Sequence, residues 1–283
     1  MKKLNKVSII GVGLIGGSIG LALKKKKLAR EVVGVCRRSV SLEKALKAGA
    51  IDWGTLDMQK GVSGADMVIV ATGVDRIAEM VRSAVPFVKP GCIFTDVGSV
   101  KAGIVKEIES FMPKNKFFVG SHPMAGSEKS GVKRARQDLF KNAITIVTKT
   151  GKTDARAFKS VTAFWSAVGS RIKVVDPVRH DDLICQISHL PHIVAAAVTA
   201  LPSREAMGYA STGFFDTTRI ASSDPELWSQ ISASNSRNLS RDIKKAVNIL
   251  KELERLVASK NKSALAGRLK KIKLKRDSRT IGG

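Results

Sequence analysis

Val7-Ser8-Ile9-Ile10-Gly11-Val12-Gly13-Leu14-Ile15-Gly16-Gly17-Ser18 opens the chain's first apolar run and decides its fold. Residues 7–10 suit a strand, the glycines a turn, and residues 19–26 a helix, which is the order a phosphate-binding βα unit requires. Gly11 permits the tight turn. Gly13 lets the backbone approach a diphosphate with no Cβ in the way, and Gly16 lets the helix pack closely on the strand. The start of the helix offers unpaired N–H groups and partial positive charge to an anion. Glycine turns also join ordinary strands to helices, but here the pattern stands in its required context. Gly11, Gly13, Leu14, Ile15 and Gly16 are therefore read as residues that bind a dinucleotide.

Outward from this unit, strand-like runs recur at residues 32–35, 67–71, 92–97, 117–119, 143–147 and 171–175. Segments with helical spacing of apolar positions lie between them, at 74–88, 100–111 and 154–168. Such alternation implies a largely parallel sheet covered by helices. After Asp176-Pro177 strand signals fade, and helical stretches dominate through 180–201, 225–233 and 236–259. The reading is α/β, with a dinucleotide-binding domain over 1–175 and a helical domain over 176–260. From Ser259 onward basic residues occupy many faces, so 261–283 is expected to be a frayed basic tail. The run Ile193-Val194-Ala195-Ala196-Ala197-Val198 has too little polar surface to stand in water. It is expected to be buried in the helical domain or against a second subunit.

With 283 residues, 43% of them hydrophobic, the chain can bury a full core. No run reaches the length of a membrane span and no signal-peptide segment precedes the first strand, so a soluble cytoplasmic protein is expected, with no membrane partner. Cys36, Cys92 and Cys185 form no CxxC pair and suggest neither a disulfide framework nor a zinc site. The formal net charge of +25 raises the question of nucleic acid. Aromatic residues make up only 5% and none interleave with the lysine-rich tracts at 24–27 and 268–276, so no base-stacking surface is visible. An anionic substrate and a phosphate-bearing cofactor would benefit from the same field.

The second strand reads Val32-Val33-Gly34-Val35-Cys36-Arg37-Arg38-Ser39. An acidic residue at its end would accept the adenosine ribose hydroxyls, whereas its absence beside arginine favours a 2′-phosphate. Here Cys36 removes the repelling charge, Arg37 and Arg38 offer planar phosphate donors, and Ser39 offers a hydroxyl. NADP is preferred on this reading, with NAD as the alternative.

Four further segments carry a resemblance. They are Asp96-Val97-Gly98-Ser99-Val100-Lys101; residues 120–131, beginning Gly120-Ser121-His122-Pro123-Met124-Ala125-Gly126; Ile187-Ser188-His189-Leu190-Pro191-His192; and Phe214-Phe215-Asp216-Thr217-Thr218-Arg219-Ile220-Ala221, running on to Trp228. Together, and in this order, they resemble the prephenate/arogenate dehydrogenase family of tyrosine biosynthesis. The resemblance implies a Rossmann domain followed by a helical domain that forms a homodimer. It also implies oxidative decarboxylation of prephenate or arogenate with hydride transfer to a nicotinamide.

Oxidising a secondary alcohol needs a group that accepts the hydroxyl proton, and a neutral imidazole suits this near pH 7. His122 follows the strand at 117–119, where ligands gather in such sheets, and Pro123 and Gly126 are expected to hold it in a loop. The matching family histidine engages the ring hydroxyl, and Ser99 matches a serine that helps orient the pair. Arg219 matches an arginine that binds the ring carboxylate, and His192 a histidine that contacts the substrate side chain. Ser127, Glu128 and Ser188 are secondary substrate contacts. His189 and His192 lack a third ligand, so no metal is expected. His180, ahead of Asp181-Asp182, is read as capping or orienting a helix, and Trp228 as a core residue. Two other classes compete: another NADP-dependent hydroxy-acid dehydrogenase of Rossmann-plus-helical build, and a basic nucleic-acid-associated binding protein.

Overall fold

The computed structural model describes residues 3–126 and 131–278. Contacts divide the chain into two compact units, Met1–Ser236 and Arg237–Gly283. This division by contacts falls later in the chain than the 175/176 boundary read from the sequence, and the helix that follows Asp176 packs on the sheet domain, since Asp181 accepts backbone N–H bonds from Lys101 and Ala102.

In the first unit, β1 (Leu4–Ile10), β2 (Ala29–Val35), β3 (Trp53–Thr55), β4 (Met67–Val70), β5 (Ile93–Asp96) and β6 (Phe117–Val119) form one parallel sheet. Its order is β3-β2-β1-β4-β5-β6, the doubly wound arrangement in which ligands sit outside the carboxyl ends of the strands where the order reverses. Apolar residues alternate between two cores, as a period-2 element buried on both faces requires. Met67 and Ile69 pack into one with Ile9, Ile19, Phe164 and Trp165, and Val68 and Val70 into the other with Ile10, Ile77, Phe94 and Ile108. The helices are α1 (Leu14–Lys25), α2 (Ser39–Lys47), α3 (Met58–Val62), α4 (Ile77–Ala84) and α5 (Ala102–Phe111).

A second sheet was not expected. β7 (Ser121–Pro123) pairs antiparallel with β8 (Ile144–Thr148), and β8 pairs parallel with β9 (Arg171–Val175) across α6 (Ala155–Val168). His122 therefore sits in a strand opposite Ile146, and not in the loop expected from Pro123 and Gly126. Three residues with a proline at the end carry no strand pattern of their own; the partner strand supplies the ladder.

α7 (Pro177–Ile184) starts at the Asp176 cap, passes through one π-helical turn at Cys185–His189, and continues as α8 (Leu190–Ala200). The continuous helix Pro177–Ala200 is by length and composition long and apolar enough to cross a membrane, which corrects the expectation that no segment is. The correction follows from the helix bridging the polar residues that interrupt the apolar run in sequence. Ile187, Val194 and Leu201 are exposed on the chain. α9 (Arg204–Met207), α10 (Thr212–Thr218) and α11 (Pro225–Ser234) follow.

The second unit consists of α12 (Ser236–Ala258), most of whose length it contains, and α13 (Lys262–Asp277). α13 replaces the tail expected to fray. Its Lys, Ala, Leu and Arg residues are strong helix formers. Asn261 caps it through Ala264 N–H, and Arg268 pairs with Glu252 of α12.

Candidate active site

The glycine turn has the geometry its residue types demand. Gly11 lies at φ +91°, and a Cβ there would fall 2.6 Å from the Ala71 carbonyl oxygen. A Cβ on Gly16 would meet the Gly11 carbonyl oxygen at 2.1 Å, so this glycine is what lets α1 sit against the strand. A Cβ on Gly13 meets nothing within 4 Å, so its backbone faces open space. The first turn of α1 has no side-chain cap and no acidic residue, leaving its N–H groups for an anion.

A cavity of about 730 Å³ runs from Gly11 and Gly13 past the end of β2, where Cys36, Arg37 and Arg38 line it. Lys44, Arg76 and Ser41 line it too, and sequence reasoning missed all three. Lys44 and Ser41 lie on α2, directly after the arginine pair, where a helix following the second strand could have suggested them. Ser39, expected to donate to phosphate, is the first residue of α2 and is not in the lining. Burial pushes the Cys36 thiol pKa up, so the strand end carries no negative charge.

A second cavity, about 660 Å³, shares Gly13, Thr72, Gly73 and Gly131 with the first. Leu14, Ile15, Ser99, His122, Ser188 and Arg219 all line it, so residues from five separate sequence segments converge. Trp228, read as core, also lines it while packing against the hydrophobic core. His192 does not: it is buried, stacked on Trp228 with centroids 3.6 Å apart and planes 6° from parallel. The register of α8 turns it onto the indole. Ser127 and Glu128 lie outside the described residues.

His122 is held from both sides. Its neighbour Ser121 donates its backbone N–H to Asp96 Oδ1 at 3.0 Å and its hydroxyl to the Asp96 carbonyl, and accepts from Trp165 Nε1–H at 2.9 Å. Asp96 also pairs with the fully buried Lys101. The His122 ring meets His180 through Nδ1, 3.0 Å from His180 Nε2, and His180 Nδ1 lies 2.8 Å from Asp181 Oδ1. Among the described residues His122 Nδ1 thus meets His180, while Ser99, which the resemblance sets at the substrate's ring hydroxyl, lines the same cavity as His122. The sequence carries no local sign of the His122–His180 contact, since the two histidines are 58 residues apart. Burial, then the positive charge that His180, Lys101 and His189 carry when protonated, holds the His122 pKa well below the usual histidine range, so the ring is neutral near pH 7.

A neutral imidazole and a guanidinium facing one cavity, beside a groove shaped for a dinucleotide, form a set suited to oxidising an anionic alcohol. Comparison with known proteins agrees. The family description "Prephenate dehydrogenase, nucleotide-binding domain" matches residues 19–174, and "Prephenate dehydrogenase, dimerization domain" matches 176–271. The chain belongs to the prephenate dehydrogenase family. Prephenate dehydrogenase of Bacillus subtilis is 38% identical over 232 residues, which cover 80% of this chain and 62% of that protein. The chain therefore spans less than two thirds of that relative's length. Cyclohexadienyl dehydrogenase of Zymomonas mobilis is 30% identical over 92% of this chain and 91% of its own. The crystal structure of A. aeolicus prephenate dehydrogenase, in complex with hydroxyphenyl propionate and NAD+, superposes with a TM-score of 0.90 at 32% identity. That match covers 97% of this chain and 98% of the other.

Proposed function

We propose that this chain oxidatively decarboxylates prephenate or arogenate with a nicotinamide cofactor, preferring NADP. The observation that carries the reading is the convergence of His122, Ser99 and Arg219 on one cavity that opens into the glycine-turn groove. The groove fits a nicotinamide dinucleotide: Gly13 leaves room for the diphosphate and the uncapped start of α1 faces it. When bound, the oxidised nicotinamide supplies the hydride acceptor. His122 takes the hydroxyl proton, and the electron pair left on oxygen forms the carbonyl as the carbon gives up hydride. Arg219 holds the ring carboxylate until the C–C bond breaks and CO2 leaves. Electrons from that bond flow through the ring to oxygen, which recovers the proton from His122 as the ring becomes aromatic. The protein's part is alignment and stabilisation of the developing carbonyl.

Turnover of prephenate and of arogenate, each with NADP and with NAD, tests the reading in one set of assays. No oxidation of either substrate would reject it. The cofactor preference rests on Cys36, Arg37 and Arg38, with Lys44 and Arg76 adding positive charge to the same groove. The ratio of kcat/KM should favour NADP, and Cys36→Asp with Arg37→Ala should move it toward NAD by roughly tenfold or more, the value of one charge-assisted contact. A tenfold NAD preference in the unmodified protein would overturn the arginine reading.

The exposed Ile187 and Val194 on the helix of residues 177–200 and Leu201 just after it, together with the match to a dimerization domain, support a homodimer. Sedimentation at micromolar concentration should give about twice the 30.4 kDa chain mass. A monomer that is fully active would contradict it.

A further inference from the structure

The path from α5 to the cavity runs through three side chains whose hydrogen-bonding roles can be assigned in sequence. Asp181 of α7, buried against the start of α5, accepts Lys101 N–H at 2.7 Å on Oδ1 and Ala102 N–H at 2.9 Å on Oδ2. A carboxylate only accepts, so the proton in its 2.8 Å contact with His180 belongs to His180 Nδ1. A neutral His180 then has its lone pair on Nε2. That nitrogen lies 3.0 Å from His122 Nδ1, which must donate to it. The reverse order would set a lone pair of His180 against the Asp181 carboxylate.

Resting on the dehydrogenase reading above, we infer that His180 and Asp181 are positioning residues that hold neutral His122 with its proton on Nδ1, so that the Nε2 lone pair is the one available to the substrate hydroxyl. When Nε2 takes the proton, the O–H bond breaks and a cation forms on His122. Its Nδ1–H then points at the lone pair of His180, whose far nitrogen is anchored on a carboxylate. The charged and titratable groups around the two rings are Lys101 and Asp96 from the β5–α5 region, Asp181 beside His180, and His189 from the π turn. Burial holds His180 below its ordinary pKa as well, consistent with both rings being neutral near pH 7. His189 provides an internal contrast. The Asn235 amide donates to its Nδ1 at 3.1 Å and to the Asp181 carbonyl at 2.8 Å, so His189 must carry its proton on Nε2.

Four histidines in the whole chain make the test direct. In full-length protein labelled with 15N-histidine, long-range 1H–15N spectra near pH 7.5, assigned with single-histidine variants, report which nitrogen carries each proton. His122 and His180 should show the Nδ1–H pattern and His189 the Nε2–H pattern. In His180→Phe, His122 should lose that pattern and kcat should fall roughly 10- to 100-fold with KM little changed. His180→Gln presents a carboxamide oxygen to His122 and an N–H to Asp181. It should retain the His122 tautomer and recover most of kcat. A proton on His122 Nε2 in the unmodified protein overturns the assignment, as does a Gln variant no better than Phe in kcat. The spectra need no turnover, so inactivity toward both substrates would reject the activity without deciding the tautomer.

Discussion

Exchange of His122 for asparagine is expected to lower turnover roughly 100-fold or more, the usual contribution of a positioned general base, while cofactor binding and most of the substrate affinity remain. The ring lines the cavity that Ser99 and Arg219 also line, is fixed by β7 on one side and by His180 on the other, and is not among the residues lining the groove that holds Cys36, Arg37 and Arg38. The pH profile carries the second part of the expectation. Only neutral His122 accepts a proton, and burial holds its pKa well below 6.5. Activity should therefore persist as pH falls through the ordinary histidine range and fail only further down, where the ring becomes protonated. In His122→Asn that acid limb should disappear from kcat. Wild-type turnover in the variant, or an acid limb that survives unchanged, would remove His122 from this role.

The parts of this arrangement readable in sequence are those where one residue type is the only one that fits. Gly11 at positive φ and Gly16 against the Gly11 carbonyl tolerate no side chain, so the turn announces itself. The strands at β1, β2, β4 and β5 are apolar because both faces of the sheet are covered, and they were legible for that reason. β7 was not, because its conformation comes from β8 and from the hydrogen bonds that tie Ser121 to Asp96. Ser99, His122, Ser188 and Arg219 were placed together by resemblance, and the structure lines one cavity with them. His180 and Asp181 could not be assigned their contacts, since those depend on the fold bringing α7 onto α5. Asp181 reaches a backbone N–H 80 residues away. α13 was missed for a different reason. Its charges lie on many faces, and helix propensity rather than an apolar stripe sustains it.

Complete burial of its charge makes Lys101 a residue whose loss should cost heavily in stability. Its side chain and that of Asp96 are both fully removed from solvent and paired with each other. Burial lowers the Lys101 pKa despite the raising influence of Asp96 and Asp181, and removing two charges from water offsets much of what their attraction returns, so the intact pair is weak evidence of stability. Breaking it is another matter. Lys101→Met would leave the Asp96 charge buried with, among the described residues, the N–H groups of Gly98 and Ser121 to satisfy it. A loss of about 3–5 kcal/mol in unfolding free energy is expected, read from urea denaturation at pH 7. Adding Asp96→Asn removes the stranded charge while keeping a carbonyl oxygen for one of those N–H groups. The double variant should thus be more stable than Lys101→Met alone, a coupling opposite in sign to simple addition of two damaging changes. If Lys101→Met unfolds at the wild-type urea midpoint, or if the two losses simply add, Asp96 is not dependent on its buried partner. The ladder that carries His122 would then have to be held by something other than this pair.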